Sequence, residues 1–337
     1  MVEKLKKLCL INGTSGDEER VREYIRNNIT ADEIFTDNLG NLIVFKKGRK
    51  TPKNKIMFAA HMDEVGFMIT DITTNGCFCF DAVGGIDPSV VIGRTLQLES
   101  GACGVVGTKA FHQQSSEERK QFPAIEELTL DIGASSAEQA EKLAKRGSTA
   151  FFYSDFFEFG DGYVKGKAID DRAGCLIMME MINSDLEYDA WFVFTVQEEV
   201  GTRGAKAAAF TVAPDIAFVL ETTTACDIAG VFGAKKVCEL GKGAVVSYMD
   251  RSTVYNRRLY SLAFDTAKSS DIPVQTKTLV AGGNDSGAIH VSAGGVQTCA
   301  ISVPCRYLHS PSCVIKMSDF YAVKSLAEKM LSAAADF

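Results

Sequence analysis

The sequence has little of what marks several functional classes of protein. Its 337 residues include one tryptophan and four histidines, and no apolar run approaches the roughly 20 residues of a membrane-spanning helix. Positive charge is also scarce, since 36 Lys and Arg residues face 43 Asp and Glu residues and the formal net charge is −7. This acidic balance argues against a nucleic-acid partner and against binding to an anionic membrane surface.

Closely paired cysteines are absent too. The ten cysteines are scattered singly, Cys77 and Cys79 being the closest together, and no C-x-x-C motif occurs. The N-terminal segment MVEKLKKLCLING has neither the apolar region nor the cleavage site of a secretory signal. We therefore expect reduced thiols rather than a disulfide scaffold, and a cytoplasmic protein.

Apolar runs that alternate with amphipathic segments predict an α/β fold. KIMFAA (55–60) is a continuous apolar run, typical of a strand that is buried on both faces, and DAWFVFTV (189–196) predicts a second strand. After about residue 165, predicted helices and strands alternate to the end of the chain. This alternation predicts a sheet covered by helices on both faces. Near the N-terminus, Ser15 is predicted to cap a helix, with Glu18 as its capping-box partner.

A change of composition predicts a second, smaller domain. The chain is longer than a single core usually supports. Between about residues 67 and 165 it consists of short β-rich runs punctuated by glycine, as in GFMITDITTNGCFCFDAVGG. We predict that residues 67–165 form a small β-rich domain inserted into a larger α/β domain, which comprises residues 1–66 and 166–337.

Side chains that bind metals follow several predicted strands. In an α/β sheet, ligands bind beyond the carboxyl ends of the strands, so the side chains at those ends are candidates for a site. These candidates are His61 and Asp63 after KIMFAA, Glu198 and Glu199 after DAWFVFTVQ, Glu221 after PDIAFVL, His309 after TCAISVPCRYL, and Asp170 and Asp171 before the helix RAGCLIMMEMI. Carboxylates and imidazoles are therefore expected to meet at one edge of the sheet.

Taken one at a time, these residues have ordinary structural explanations. A histidine after a strand is most often a hydrogen-bonded surface group, two aspartates before a helix most often cap it, and two adjacent glutamates are usually solvated. Five independent placements at one edge favour a metal centre instead. Two divalent ions need one bridging carboxylate, and each ion also needs a terminal carboxylate and a histidine. The residues that meet this need are Asp170 or Asp171 as the bridge, with Glu199, Glu221, His61 and His309.

Six motifs together resemble those of the tetrahedral aminopeptidase family, which includes glutamyl and deblocking aminopeptidases. They are AAHMDEVGFM, GKAIDDRAG, VQEEVGTRGA, LETTTACD, GGNDSGAI and CRYLHSP, and they occur in the family's order between residues 59 and 311. The resemblance implies a zinc-exopeptidase-like catalytic domain with a mixed sheet, and the removal of N-terminal residues from peptides. It also implies that the insertion is a dimerisation domain, and that dimers assemble into dodecamers whose inner chamber admits peptides but not folded proteins.

The same resemblance implies a role for each candidate residue. The implied ligands are His61, Asp170 and Glu221 for one divalent ion, and Asp170, Glu199 and His309 for the other. Zinc and cobalt both suit this mixture of ligands. Asp63 would accept the N–H of His61, and Glu198 would act as general base. The choice of Asp170 over Asp171 as the bridge comes from the resemblance alone.

Two positions depart from the family's pattern. Many relatives carry aspartate where this chain has Glu221, and many have a glutamate near Ser312 that this chain lacks. Either carboxylate can serve as a terminal ligand, but the longer side chain of Glu221 is expected to alter the geometry. The missing glutamate bears on the groups around the ligands and not on the ligands themselves.

Three alternatives to an aminopeptidase stay open. The first is another metal-dependent hydrolase, a carboxypeptidase or a deacylase, and an arginine in the site would favour the carboxypeptidase. The second is a glycosidase, because some relatives carry an endoglucanase label and paired carboxylates perform that chemistry; the single tryptophan, Trp191, offers a poor platform for sugars. The third is a shell protein without activity, against which the complete ligand set argues.

The sequence does not indicate which N-terminal residue is preferred. A glutamyl enzyme needs a cation at its specificity pocket, and none of the 36 Lys and Arg residues can be placed there from the sequence. A neutral pocket would favour leucine or methionine instead. The loop GGNDSGAI (282–289) is either a purely structural loop or a contact with the substrate.

Overall fold

The computed structural model describes all 337 residues, in eight α-helices and 17 β-strands. The helices are α1 (Val2–Cys9), α2 (Glu19–Asn27), α3 (Ala137–Ala140), α4 (Ile169–Ile182), α5 (Arg203–Val212), α6 (Arg257–Ser269), α7 (Ser286–Ile289) and α8 (Met317–Ala334). The strands are β1 (Glu33–Thr36), β2 (Leu42–Lys46), β3 (Ile56–His61), β4 (Gly66–Ile72), β5 (Phe78–Val83), β6 (Thr95–Leu98), β7 (Cys103–Gly107), β8 (Thr129–Asp131), β9 (Thr149–Phe152), β10 (Phe157–Phe159), β11 (Tyr163–Gly166), β12 (Ala190–Thr195), β13 (Ile216–Thr224), β14 (Ala244–Val246), β15 (Val274–Thr276), β16 (Gln297–Cys305) and β17 (Cys313–Lys316). None of the helices is long and apolar enough to cross a membrane.

An eight-stranded mixed sheet forms the centre of the larger domain. Its strand order is β1-β2-β12-β3-β13-β16-β14-β15. The strands β12, β3, β13 and β16 run parallel, whereas β2 and β14 pair antiparallel with β12 and β16. The carboxyl ends of the four parallel strands therefore lie at one edge of the sheet, where most of the candidate ligands follow them. The predicted α/β class with a mixed sheet is confirmed.

Helices cover both faces of this sheet because its central strands are apolar on both sides. Every residue of β3 is buried. Ile56, Phe58 and Ala60 belong to the core beneath α1, α2, α4, α6 and α8, whereas Met57 and Ala59 belong to the core beneath α5 and α7. Successive side chains of a strand point to opposite faces, so a strand between two helical layers must be apolar throughout. This double burial accounts for the run KIMFAA.

The smaller β-rich unit is a closed barrel with a core of its own. Its strands close in the order β4-β5-β8-β7-β6-β9 and run from Gly66 to Phe152. Phe67 packs edge-on against Phe80 and Phe152, with ring centroids 5.3 and 5.1 Å away. The next two strands, β10 and β11, form a three-stranded sheet with β17 of the larger domain. The predicted insertion, residues 67–165, covers the barrel and the strands β10 and β11 except for Gly66 and Gly166 at its two ends.

Two local expectations differ from the structure. Ser15 does not cap α2, because that helix begins at Glu19 without a side-chain cap, and the Ser15 hydroxyl donates to Asp63 instead. Glu221 lies within β13 rather than after it, because that strand continues to Thr224. The strand extends this far because β13 pairs with β16 along its whole length. The hydrogen bonds of this pairing satisfy the backbone N–H and C=O groups at the polar C-terminal end of β13.

Candidate metal centre

The candidate ligands converge although they are far apart in the sequence. Their positions are His61 at the end of β3, Asp63 two residues later, Asp170 in the first turn of α4, Glu198 and Glu199 after β12, Glu221 within β13, and His309 between β16 and β17. The strands β12, β3, β13 and β16 are direct neighbours in the sheet. The order of the strands therefore brings together residues that are distant in the sequence. His61 and His309, for example, are 248 positions apart.

The two carboxylate oxygens of Asp170 face two different histidine–glutamate pairs. On one side, His61 Nε2 lies 3.4 Å from Asp170 Oδ1 and 3.4 Å from Glu221 Oε1. On the other side, His309 Nε2 lies 3.6 Å from Asp170 Oδ2 and 3.2 Å from Glu199 Oε2. The residues form two clusters that share Asp170.

These separations suit two metal ions better than direct hydrogen bonds. Zinc binds imidazole nitrogen and carboxylate oxygen at about 2.0–2.1 Å, which places neighbouring ligands of a tetrahedral ion roughly 3.4 Å apart. The N···O separations of 3.2 to 3.6 Å lie around this value. Asp170 Oδ1 is buried without a hydrogen-bond partner, which is costly unless a cation meets it. The residues present therefore fit two divalent ions.

Asp171 lies beside the two clusters but reaches only one of them. Its peptide bond to Asp170 is cis. Asp171 Oδ1 accepts a hydrogen bond from the Gly174 N–H at 3.0 Å, whereas Oδ2 is buried without a partner. Its carboxylate lies within 4.8 Å of ligand atoms of His61 and Glu221. Asp170 is the one of the two aspartates whose oxygens face both histidines.

Burial and mutual repulsion dominate the electrostatics of the glutamates. Burial raises the pKa of Glu199 to about 7, and the charge of Asp170 adds to this shift against the opposing effect of His309. Burial likewise raises the pKa of Glu221 to about 8, with His61 opposing and Asp170 contributing. Crowded, buried carboxylates of this kind favour the binding of cations.

The pKa values of the two histidines and of Asp170 shift so that their charged forms are favoured. Burial alone would lower the pKa of His309, but Asp170 and Glu199 raise it to about 10. In the same way, Glu221 and Asp170 raise the pKa of His61 well above its usual value against the effect of burial. The pKa of Asp170 is lowered despite burial, because both histidines stabilise its charge. The clusters thus hold both imidazoles among negative charges.

Glu198 lines the same centre and makes no side-chain hydrogen bond that would fix its carboxylate. Burial raises its pKa well above the usual value, and the charges of Glu221, Asp285 and Glu199 add to the shift while His61 opposes it. A carboxylate with a raised pKa accepts and returns a proton more readily near neutral pH.

Asp63 holds the loop that carries both glutamates. Its Oδ1 accepts the N–H of Glu198 at 3.0 Å, and its Oδ2 accepts the N–H of Glu199 at 3.1 Å and the hydroxyl of Ser15 at 2.6 Å. The contact with His61 differs in detail from the expectation. His61 Nδ1 lies 3.0 Å from the main-chain carbonyl oxygen of Asp63 and 3.5 Å from the carboxylate.

Sequence reasoning missed two groups that orient the site. Ser15 reads as a helix cap in TSGDEE, yet it donates to Asp63. The carbonyl oxygen of Gly85, in the loop after the barrel strand β5, lies 2.7 Å from His309 Nδ1. A main-chain carbonyl leaves no trace in the residue type, so nothing in the sequence indicates the Gly85 contact.

A cavity of about 920 Å³ opens over the two clusters. No phenylalanine, tyrosine, tryptophan or arginine lines it, and its lysines are Lys206 and Lys277. The loop GGNDSGAI contributes five residues to its wall: Gly282, Gly283, Asn284, Gly287 and Ala288. Asp285 of the same loop is buried and accepts the hydroxyl of Thr195 at 2.5 Å. This loop therefore borders the cavity as well as stabilising the strand that precedes Glu198.

Comparison with known proteins identifies relatives along nearly the whole chain. The sequence profile of the M42 glutamyl aminopeptidase family matches residues 40–326. A protein of Acetivibrio thermocellus, provisionally named an aminopeptidase, is 41% identical over 97% of this chain and 98% of its own length. The lysyl aminopeptidase of Pyrococcus furiosus is 33% identical over 91% and 90% of the two chains. The glutamyl aminopeptidase of Lactococcus lactis is 31% identical over 98% and 96%.

The comparison with solved structures also finds similar proteins that cover nearly the whole chain. Aminopeptidase APDkam598 of Desulfurococcus kamchatkensis superimposes with a TM-score of 0.92 at 31% identity, covering 97% of this chain and 93% of its own. The TET1 peptidase of Pyrococcus horikoshii, described as assembling into a tetrahedron or a large octahedral shell, gives 0.86 at 36% identity, covering 99% of both chains. A Thermotoga maritima protein named an endoglucanase gives 0.80 at 35% identity, covering 98% and 99%.

Proposed function

This chain belongs to the M42 glutamyl aminopeptidase family and is a peptide hydrolase, and from that premise we propose that it removes N-terminal residues from peptides at a two-metal centre. One observation supports the proposal above the others. The two oxygens of Asp170 face His61 with Glu221 on one side and His309 with Glu199 on the other. This is the arrangement that a pair of bridged divalent ions requires.

Each ion would have one histidine, one glutamate and one oxygen of Asp170. The ligands proposed are His61, Asp170 Oδ1 and Glu221 for one ion, and His309, Asp170 Oδ2 and Glu199 for the other. Zinc and cobalt both suit imidazole and carboxylate ligands. When bound, two such ions lower the pKa of a water molecule and polarise a carbonyl group.

The residues of the chain supply the proton transfers and the orientation. Glu198 takes a proton from the attacking water and returns it to the leaving amine, for which its raised pKa is suited. The Asp63 carboxylate holds the backbone of Glu198 and Glu199 in place by accepting hydrogen bonds from both of their N–H groups. The carbonyl groups of Asp63 and Gly85 orient the two histidines at their Nδ1 atoms.

The cavity favours an aminopeptidase over the alternatives. An arginine in the cavity would favour a carboxypeptidase, which must bind the terminal carboxylate of its substrate, and no arginine lines the cavity. A glycosidase is not favoured, because the cavity lacks the aromatic side chains on which sugar rings stack, although one structural relative carries an endoglucanase name. The intact clusters argue against a shell protein without activity.

We also propose that the chain assembles into a dodecamer through the barrel and works in the cytoplasm. The TET1 peptidase, which is similar along 99% of both chains, is described as forming a tetrahedron or an octahedral shell. In a closed shell, peptides would reach the inner sites and folded proteins would not. All ten cysteines are free, which suits a reducing compartment.

The experiment that tests this function uses metal-stripped protein and a panel of aminoacyl-p-nitroanilides with Leu, Met, Glu, Asp, Lys and Ala. The protein is assayed without metal, then after reloading with zinc or cobalt. We expect cleavage only after reloading, and loss of cleavage in Glu198→Gln with two bound ions per chain retained. Metal content is measured by mass spectrometry, so loss of the base is separated from loss of the metals.

Two further substrates separate the alternatives. A peptide with a free N-terminus and an amidated C-terminus should be trimmed, whereas a peptide of the same sequence with an acetylated N-terminus and a free C-terminus should not. The opposite pattern would indicate a carboxypeptidase. Release of acetate from the acetylated peptide, or cleavage of a soluble cellulose derivative with no cleavage of any p-nitroanilide, would contradict the aminopeptidase.

A further inference from the structure

A second cavity, of about 490 Å³, opens directly beside the one that holds the candidate metal ligands. We call it the side groove. Its lining residues lie in three segments: residues 37–39 before β2, residues 206–211 of α5, and residues 288–293 at and after the end of α7. Lys206, Ala288 and Val291 line both cavities, so the side groove is continuous with the active-site cavity.

Large apolar side chains lie exposed in the side groove. Phe210 is 73% exposed, Val291 67% and Leu39 47%. The core of the protein does not account for Phe210, because α5 packs against the sheet through Ala205, Ala208, Ala209 and Val212 on its other side. Apolar surface in contact with water is unfavourable, and a cluster of such side chains in a concave site is typical of a place where an apolar group binds.

Charge in the side groove is limited to Asp37 and Lys206. The carboxylate of Asp37 is already paired, since its Oδ1 accepts the backbone N–H groups of Leu39, Gly40 and Asn41 at 2.9 to 3.0 Å. Its Oδ2 accepts the side-chain amide of Asn41 at 2.6 Å. Lys206 lies where the two cavities meet, and its charge disfavours a cationic side chain there. The rest of the groove therefore suits an uncharged, apolar side chain.

One side of α5 leads from the proposed base to the side groove. Four residues follow one another at intervals of four positions: Glu198, Thr202, Lys206 and Phe210. The first three line the active-site cavity, and the last two line the side groove. A helix rises about 1.5 Å per residue, so Phe210 lies about 12 Å beyond Thr202 along α5. An extended peptide covers that distance in about four residues.

We propose that the side groove binds apolar side chains of the substrate peptide downstream of the bond that is cleaved, at about its fourth to sixth residues. This inference rests on the proposed function, because it places the scissile bond beside Glu198. The occupant is a peptide rather than a second copy of the chain, because the groove shares a wall with the active-site cavity and a peptide that leaves the cavity along α5 enters it. The preferred substrates are thus peptides of about six residues or more with apolar residues at these positions.

The test compares two hexapeptides on the metal-loaded wild type and on Phe210→Ser. Both peptides have the same first three residues and continue with either Leu-Phe-Leu or Ser-Asn-Ser. We expect the wild type to release the first residue of the apolar peptide with a kcat/KM at least about fivefold higher, through a lower KM. In Phe210→Ser this advantage should fall to within about twofold. Cleavage of the best aminoacyl-p-nitroanilide, which has no downstream residues, should be the same in both proteins and shows that the variant is folded.

Phe232→Ser is the matched control, because Phe232 is 77% exposed and lines neither cavity. It should keep the wild-type preference between the two peptides. Equal kcat/KM for both peptides on the wild type would overturn the inference. A Phe210→Ser variant that keeps the preference but has a lower mass by light scattering would overturn it too, because the groove would then be a contact between copies of the chain.

A binding measurement separates this inference from the proposed function. The two hexapeptides are titrated into metal-loaded Glu198→Gln by calorimetry, with and without Phe210→Ser. We expect the apolar peptide to bind more tightly, and the second substitution to remove that difference. If the wild type cleaves no substrate but this difference occurs, the proposed function fails and binding in the side groove stands. If p-nitroanilides are cleaved but the two peptides bind equally, the side groove has no part in recognition and the proposed function stands.

Discussion

Asp63 shows how much one side chain contributes at the scale of single residues. It connects the N-terminal segment, through Ser15, with the loop that carries Glu198 and Glu199. The carboxylate is fully buried, so each of these bonds is shielded from water. The position of the proposed base therefore depends on a serine that lies 183 residues earlier in the chain.

Replacing that serine should lower activity without removing the metals. Ser15→Ala deletes the 2.6 Å hydrogen bond to Asp63. We expect a loss of about 1 kcal/mol in the free energy of unfolding and a fall of about fivefold in kcat/KM. Unfolding in urea and kinetics on the best p-nitroanilide measure both, with metal content as a third reading.

Ser332→Ala is the control, because that hydroxyl also donates to a carboxylate, Glu187, at 2.8 Å but is remote from the cavity. Its kcat/KM should equal that of the wild type. Equal activity of Ser15→Ala and Ser332→Ala would show that the N-terminal segment does not position the base.

The sequence predicts the candidate ligands better than the groups that orient them. The candidate ligands are predicted from residue type and from their positions near predicted strand ends or, for Asp170, at a predicted helix start, all of which are visible in the chain. Gly85 acts through its carbonyl oxygen, which every residue has. Lys277 is one of 36 cationic residues, and only the folding of β15 beside β14 places it on the cavity wall.

At the scale of elements, the N-terminal part of α4 is packed too tightly for any side chain at Gly174. A Cβ atom there would collide with both carboxylate oxygens of Asp171, the neighbour of the shared ligand Asp170. We expect Gly174→Ala to displace this carboxylate, to reduce bound metal, and to lower kcat/KM at least about tenfold. Metal content and activity are measured on the same preparation.

Gly294→Ala serves as the matched substitution, because a Cβ atom at Gly294 would meet no other atom within 4 Å. That variant should bind metal and cleave substrate as the wild type does. Full metal content in Gly174→Ala would show that Asp171 has no part in holding the ligands in place.

A partly buried ion pair joins the segment after β13 to the residue that follows β16, and it should make stability depend on pH. Asp227 accepts two hydrogen bonds from Arg306, at 2.6 and 2.7 Å. Burial alone would raise the pKa of Asp227, but Arg306 and the Leu240 N–H lower it. A lowered pKa means that the stabilisation is complete above the pKa of an unfolded aspartate, about 3.9, and is lost as the pH falls further.

The corresponding experiment compares the wild type with Asp227→Asn in urea unfolding between pH 7 and pH 3. The wild type should be more stable by a constant margin at pH 7 and pH 5, and this margin should shrink below about pH 4. Asp71→Asn, which loses its contact with Arg146 at the barrel surface, should show a smaller margin because that pair is exposed. A margin for Asp227→Asn that grows on acidification would contradict the sign of this pKa shift.

The sequence predicts some elements well and the ends of others poorly. Continuous apolar residues mark β3 and β12, because both strands are buried between helices. The last four residues of β13, Glu221–Thr224, are polar and carry no such signal. They are nevertheless in a strand because each pairs with a residue of β16, as Glu221 does with Ser302. Pairing with a distant strand is not visible in a local pattern.

At the scale of the whole molecule, assembly should set which substrates reach the site. We expect light scattering after size exclusion to give a mass near twelve chains. In that state, an unfolded peptide should be trimmed, whereas a folded protein with the same N-terminal residues should not. A monomer or dimer that trims both equally would contradict the closed shell.

The contact between Gly85 and His309 carries a consequence for how the barrel and the site change over evolution. A methyl group at position 85 would lie 3.5 Å from His309 Nδ1, an ordinary contact, and it would leave the carbonyl oxygen in place. Alanine scanning of the barrel would therefore not reveal that the barrel orients a candidate ligand. Side chains of the barrel can be replaced without moving His309, provided that the backbone of the loop after β5 keeps its course. This contact therefore depends on the course of the backbone and not on the identity of residue 85.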